Sequence, residues 1–240
     1  MNRFSYKNVY NSEKHKKFID SQRYVIDDKF LDRTENYELS DGFSVEYSIY
    51  SDIEQKNKQY SIKKAVASKI ILKNADKTVY EYYCFYDHVK PFTEIIHHKN
   101  GHRYYAFHVD LYGISFLDVD TLEVYNYIPE GYEHNKEYRC GESFIITDVH
   151  YDKESNLIAY GGCYWASPYE VMVGDFSNPL NFNPHLVSLR DILDPEYNYE
   201  DIDFKEWKDG KLYILCDKEE KFLSADELKK LINELTVKGK

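Results

Sequence analysis

The chain has 240 residues, 42% hydrophobic and 17% aromatic, with 42 acidic side chains against 31 basic ones and a net charge of −11. That apolar content excludes a disordered chain, and so acidic a surface excludes duplex nucleic acid and anionic membrane as partners. No apolar run approaches the ~20 residues of a membrane span, and the first residues lack the apolar core of a secretory signal. The four cysteines, Cys84, Cys140, Cys163 and Cys216, stand far apart without a C-x-x-C pair. Reduced, mostly buried thiols in a cytoplasmic protein are the expectation.

In chain order, residues 1–33 are mixed. Ser12 can cap a short helix over 12–23, and its run Lys14-His15-Lys16-Lys17 reads as a solvated helical face. From residue 34 a pattern repeats. A short strand leads to a tight turn and then to a longer apolar strand. The turns fall at Asp41-Gly42, Asn100-Gly101, Ser155-Asn156 and Asp209-Gly210, an interval of between 54 and 59 residues. Asp-Gly and Asn-Gly between strand-like runs signal hairpins, because the tight turn needs positive φ at its centre. A period in the fifties fits a four-stranded unit. The outer halves agree: 69–72 turns into 79–85, 114–118 into 124–128, and 171–175 reaches a turn at Ser177-Asn178. Asp118 and Asp175 hold matching places before their turns, where a carboxylate accepts backbone N–H groups. Residues 157–160 and 212–215 are apolar throughout, as strands buried on both faces must be. Ser224 and Glu227 form a capping box, and Leu228, Leu231, Ile232 and Leu235 make a helical stripe, so a helix over 224–237 ends the chain.

The run Ile114-Ser115-Phe116-Leu117-Asp118-Val119-Asp120-Thr121-Leu122-Glu123-Val124-Tyr125-Asn126-Tyr127-Ile128-Pro129 resembles the outer hairpin of YVTN-type β-propeller repeats. The resemblance implies one all-β domain over 1–240, a propeller-like ring of about four antiparallel four-stranded units. Residues 1–33 are expected to close the last unit.

Three constellations carry chemistry. Glu35, Glu94, Asp148 and Asp201 each open a unit; in a propeller the first strands line the channel, so these four form a carboxylate ring for Ca²⁺, Mg²⁺ or a cationic ligand. Turn-capping is the competing role. In a two-residue hairpin at Asn100-Gly101, His97 and His102 share a face with His108 and Asp110, with Lys99 opposing any metal. Loops on the channel-entrance side carry aromatics, chiefly Tyr112, Tyr132, Tyr164, Trp165 and Tyr169, with Arg139 beside them; such a face suits a sugar ring or a protein hot spot. No nucleophile elbow, P-loop or dinucleotide fingerprint is present. The expectation is a binding module for a protein or carbohydrate, and the alternative is a hydrolase built on the carboxylate cluster.

Overall fold

The computed structural model describes residues 5–55, 61–86, 89–131 and 142–238. Four antiparallel sheets follow one another along the chain, and a helix ends it. The first sheet holds β1 (Leu31–Glu38), β2 (Phe43–Gln55), β3 (Ser61–Asn74) and β4 (Lys77–Cys84), and the second β5 (Ile95–His97), β6 (Arg103–Phe107), β7 (Ile114–Asp118) and β8 (Val124–Tyr127). The third holds β9 (Ile145–Asp152), β10 (Leu157–Cys163), β11 (Glu170–Asp175) and β12 (Val187–Ser188). The fourth has three strands, β13 (Ile202–Lys208), β14 (Lys211–Cys216) and β15 (Glu219–Ser224). Two further helices are α1 (Glu13–Gln22) and the short α2 (Leu189–Leu193), and α3 (Ala225–Lys238) is terminal. None of the helices described is long and apolar enough to cross a membrane.

The hairpin turns form where the glycines require them. Asp209 and Gly210 both take positive φ between paired Lys208 and Lys211, and Asp41 and Gly42 do the same between β1 and β2. The capping box is also present. Ser224 N donates to Glu227 Oε2 at 2.9 Å, and Glu227 N donates back to Ser224 Oγ at 3.3 Å.

Neighbouring sheets share cores because the middle strands are apolar on both faces. On β6, Tyr105 and Phe107 pack against the first sheet, while Tyr104 and Ala106 pack against the third. On β10, Ile158 and Tyr160 join that same aromatic core, and Leu157 and Ala159 join an aliphatic core with the fourth sheet and α3. The outer members differ. β2 alternates buried and half-buried residues, and on β14 Leu212, Ile214 and Cys216 are buried while Tyr213 and Leu215 are only half-buried. Each is therefore fully covered on one face, although 212–215 reads as apolar on both.

The N-terminal segment goes elsewhere than the last unit. Val9 N donates to Ile128 O at 2.8 Å and Glu130 N to Lys7 O at 2.9 Å, along the outer edge of the second sheet. Residues 18–30 then cover the long extension of β2 and β3, with Val25 packed against Tyr50, Ala65, Ala67 and Phe85. The fourth sheet ends in α3, whose Leu228 and Ile232 supply apolar cover in place of a fourth strand.

Candidate functional site

The third and fourth sheets meet at a rim where loops and first strands converge. Arg190 is its hub. Ser188 Oγ accepts from Asp191 N and caps α2, which carries Arg190 inward, where it is buried with its side chain nearly sealed from solvent. Its Nη1 donates to Asp194 Oδ2 at 3.1 Å and to Tyr199 O at 3.0 Å, and its Nη2 donates to Tyr169 O at 2.8 Å and Glu200 O at 3.1 Å. Asp194 in turn accepts from the amides of Asn198 and Tyr199 at 2.6 and 2.9 Å. A buried charge is tolerated when it is paired and hydrogen-bonded; here both terminal nitrogens are used, on Asp194 and on three loop carbonyls, while the buried Nε has no partner among the described residues.

The loops of these two sheets carry exposed aromatics. Trp165 is 63% exposed, Tyr169 43% and Tyr197 55%. The Tyr197 ring lies 5.3 Å from the guanidinium carbon of Arg190, and Tyr169 is tied to the hub through its carbonyl. Trp165 projects from the turn after β10, closed by Ser167 N donating to Tyr164 O at 2.9 Å.

Carboxylates border these rings. Asp201 Oδ1 accepts from Tyr169 N at 2.9 Å. Asp148 Oδ1 accepts from Gly161 N at 3.1 Å and pairs with His150 Nε2 at 3.0 Å. That carboxylate fills the space a side chain at 161 would need, since a Cβ there would lie 2.3 Å from Asp148 Oδ1, so Gly161 is a packing requirement of Asp148. Burial would raise the Asp148 carboxyl, but the His150 imidazole, the Thr147 hydroxyl and the Gly161 amide outweigh it and hold the group below the usual range. Asp203 shifts the other way. Burial raises it first, and the charges of Asp201, Asp148 and Asp217 add to the rise. His150 is clamped from the fourth sheet, stacked on Phe204 with centroids 3.6 Å apart, while Trp207 Nε1 donates to His150 O at 3.2 Å. Burial, then Glu170 and Asp201, raise the Cys163 thiol, the opposite of what an attacking thiolate needs.

Of the residues expected at an aromatic loop face, Trp165 and Tyr169 are exposed. Tyr164 is half-buried, its ring edge-on to Phe144 at 5.3 Å. Tyr112 is a core residue beside Leu111 and Ile128, because residues 108–113 fold inward. Tyr132 and Arg139 lie outside the described residues.

Of the four acids opening the units, Asp148 and Asp201 share this rim, both acting on Asp203 and Tyr169. Glu35 pairs with Arg33 at 2.6 Å and accepts from the Tyr37 hydroxyl, and Glu94 is exposed. None of the four belongs to the one group of three metal-type ligand atoms found within 4.8 Å among the described residues: His102, Asp118 and Asp120. There Asp118 Oδ1 already accepts from the amides of Asp120 and Thr121, its Oδ2 meets His102 Nδ1 at 2.7 Å, and Arg103 holds Asp120 at 2.6 Å. The group serves the turn, as Asp175 serves Ser177.

The histidine face is corrected by register. His97 pairs with Arg103, not Tyr104, and His98 N donates to His102 O, so the loop is longer than two residues. A one-residue shift reverses the face of every side chain: His97 meets Asp41 and His102 meets Asp118. Sequence reasoning missed Arg190, His150 and Asp203; the i, i+2 spacing of Asp148 and His150 on a strand was the available signal for that pair. No family model matches the chain, and no match was found among curated proteins, so function rests on this geometry.

Proposed function

We propose that the protein is a binding module that takes a carbohydrate on the rim between the third and fourth sheets. Trp165, Tyr169 and Tyr197 supply stacking surfaces, and Asp148, Asp201 and Asp203 accept sugar hydroxyls. The observation that carries the reading is a set of exposed rings on the loops of the third and fourth sheets, with Tyr197 over the buried Arg190 guanidinium and the backbone of Tyr169 fixed by it. An aromatic surface held rigid before binding loses little entropy on engaging a ligand. Screening an array of neutral oligosaccharides with wild type and Trp165→Ala tests it. Retention by wild type and loss in the variant is expected; equal retention, or none, contradicts it, and a protein ligand then becomes the occupant to seek.

The sheets read as propeller-like blades stacked in chain order, an arrangement supported by the cores shared between successive sheets. Free thiols at Cys84, Cys163 and Cys216 suit a reducing, cytoplasmic setting.

One observation favours a hydrolase as second reading: Asp148 and Asp203 share the rim with their carboxyl groups shifted in opposite directions. The two shifts run in the order a proton donor and an ionised partner need, Asp203 upward and Asp148 downward. Loss of cleavage of a retained oligosaccharide in Asp203→Asn, with binding kept, supports hydrolysis; no cleavage by wild type removes it. A Ca²⁺ or Mg²⁺ ion on Glu35, Glu94, Asp148 and Asp201 would have to displace bonds that Glu35, Asp148 and Asp201 already make. Equal melting midpoints in EDTA and in excess Ca²⁺ or Mg²⁺ are therefore expected.

A further inference from the structure

The basic run at the start of the chain is not a uniformly solvated face. His15 is buried, its Nδ1 accepting from Asn11 N at 3.3 Å and its ring 5.3 Å from that of Tyr10. That inward turn leaves a cleft of about 410 Å³ between α1, the outer strand β4 and the second sheet. The volume falls within the ~300–1,000 Å³ of small-molecule sites.

The floor of the cleft is aromatic. Tyr82 and Phe107 are buried there with centroids 4.3 Å apart, and Tyr80 stacks on Tyr82 at 6.2 Å. Its walls are rich in donors. The hydroxyls of Tyr10 and Tyr80 make no hydrogen bond among the described residues, and burial keeps both protonated. Asn11 and Asn126 add amide groups, and Asn126 uses its Oδ1 on Ser115, which leaves its N–H₂ as the donor. Lys16 and Arg23 reach the mouth from α1 and the turn after it, and neither forms an ion pair among the described residues. In a chain of net charge −11, two cations with no ion pair among the described residues, matching the two acids of the lining, make the cleft less acidic than the surface at large.

Two acids also line the cleft. Glu81 is spent, bonded to Tyr83 Oη at 2.6 Å and to Lys69 Nζ at 3.1 Å. Asp20 stands one helical turn beyond Lys16 and is the remaining opposing charge.

We propose that this cleft binds a small phosphorylated molecule carrying a ring, with the ring against Tyr80, Tyr82 and Phe107 and the phosphate among Lys16, Arg23 and the Tyr10 and Tyr80 hydroxyls. A phosphate offers several acceptor oxygens and so matches the Lys16, Arg23, Tyr10, Tyr80 and Asn126 donors of this wall, and Arg and Lys are its usual partners. The ring completes the cover of an aromatic floor of which Tyr80 is only half-buried. The site is independent of the carbohydrate rim, so either can fail alone.

Phenyl phosphate is the probe, with inorganic phosphate and benzyl alcohol as the halves of its chemistry. Titrated into the full chain, phenyl phosphate is expected to shift amide resonances of residues 10–23 and 80–83 and to raise the melting temperature, with either half alone much weaker. Lys16→Gln with Arg23→Gln is expected to weaken binding by about tenfold, the scale of two partly exposed charge contacts, without changing the unliganded melting temperature. Asp20→Asn is expected to tighten binding, because it removes the one opposing charge. No shifts with phenyl phosphate, shifts confined to residues 165–200, or an unchanged affinity in the double variant would overturn the proposal.

Discussion

Two histidines occupy equivalent seams and teach different things. His98 lies between the second and third sheets, buried, stacked on Tyr151 at 5.1 Å and edge-on to Phe176. Its Nε2 meets Phe176 O at 2.9 Å and its Nδ1 accepts from Asn100 N at 3.1 Å, so both ring nitrogens are satisfied by the neutral imidazole with its proton on Nε2. His150 lies between the third and fourth sheets, stacked just as closely, but it is partly exposed, paired with a carboxylate and beside exposed aromatics. A closed seam whose histidine has both ring nitrogens used is scaffold. An open one, with coupled acids and solvent-facing rings, is where a ligand can act.

The largest expected effect tests what supports the open seam. Arg190→Ala leaves Asp194 and three carbonyls without their shared donor and should cost about 3–5 kcal/mol, read by chemical denaturation. A loss near that of a surface arginine would remove the hub from the account.

The next effect concerns the closed seam. His108 also sits on it, its Nδ1 donating to Gly113 O at 3.1 Å, and burial holds its imidazole down to about 4. The unfolded chain therefore binds more protons than the folded one between pH 6.5 and 4. Stability should fall as pH falls through that window, by up to about 3 kcal/mol from this group. Carboxylates titrate there too, so the comparison is with His108→Gln, whose stability curve should be flatter over the same range. Parallel curves would mean that His108 carries no such linkage.

The seams themselves are compared by truncation. His98→Ala removes a buried ring and strands Phe176 O and Asn100 N, and should cost about 2–3 kcal/mol. His150→Ala, at a partly exposed site, should cost about 1 kcal/mol. Equal losses would erase the distinction between closed and open. Smallest of all, Trp165→Ala should change stability by about 0.5 kcal/mol or less, because the ring is mostly in solvent.

Two of the hairpin turns were readable because they need particular residues: Asp41-Gly42 and Asp209-Gly210 adopt positive φ. The capping box at Ser224 and Glu227 was readable for the same local reason. The Asn100-Gly101 hairpin misled because His98 closes a longer loop there through its side chain, which sequence spacing does not reveal. Tyr112 misled because loop composition says nothing of direction, and residues 108–113 turn into the core. The roles of the acids were least legible. Asp148 and Asp203 differ through near partners that only the fold orients, His150 for one and Asp201 for the other, and through distant ones, Gly161 for the first and Asp148 and Asp217 for the second.

The most direct test of the open rim uses its own fluorophore. The chain has two tryptophans, so Trp207→Phe leaves Trp165 as the sole reporter. Titrating that variant with an oligosaccharide retained by the wild type, while following heat of binding in parallel, should shift Trp165 emission to shorter wavelength with the same midpoint as the calorimetric curve. Binding heat with unchanged Trp165 emission would place the ligand elsewhere and contradict the account.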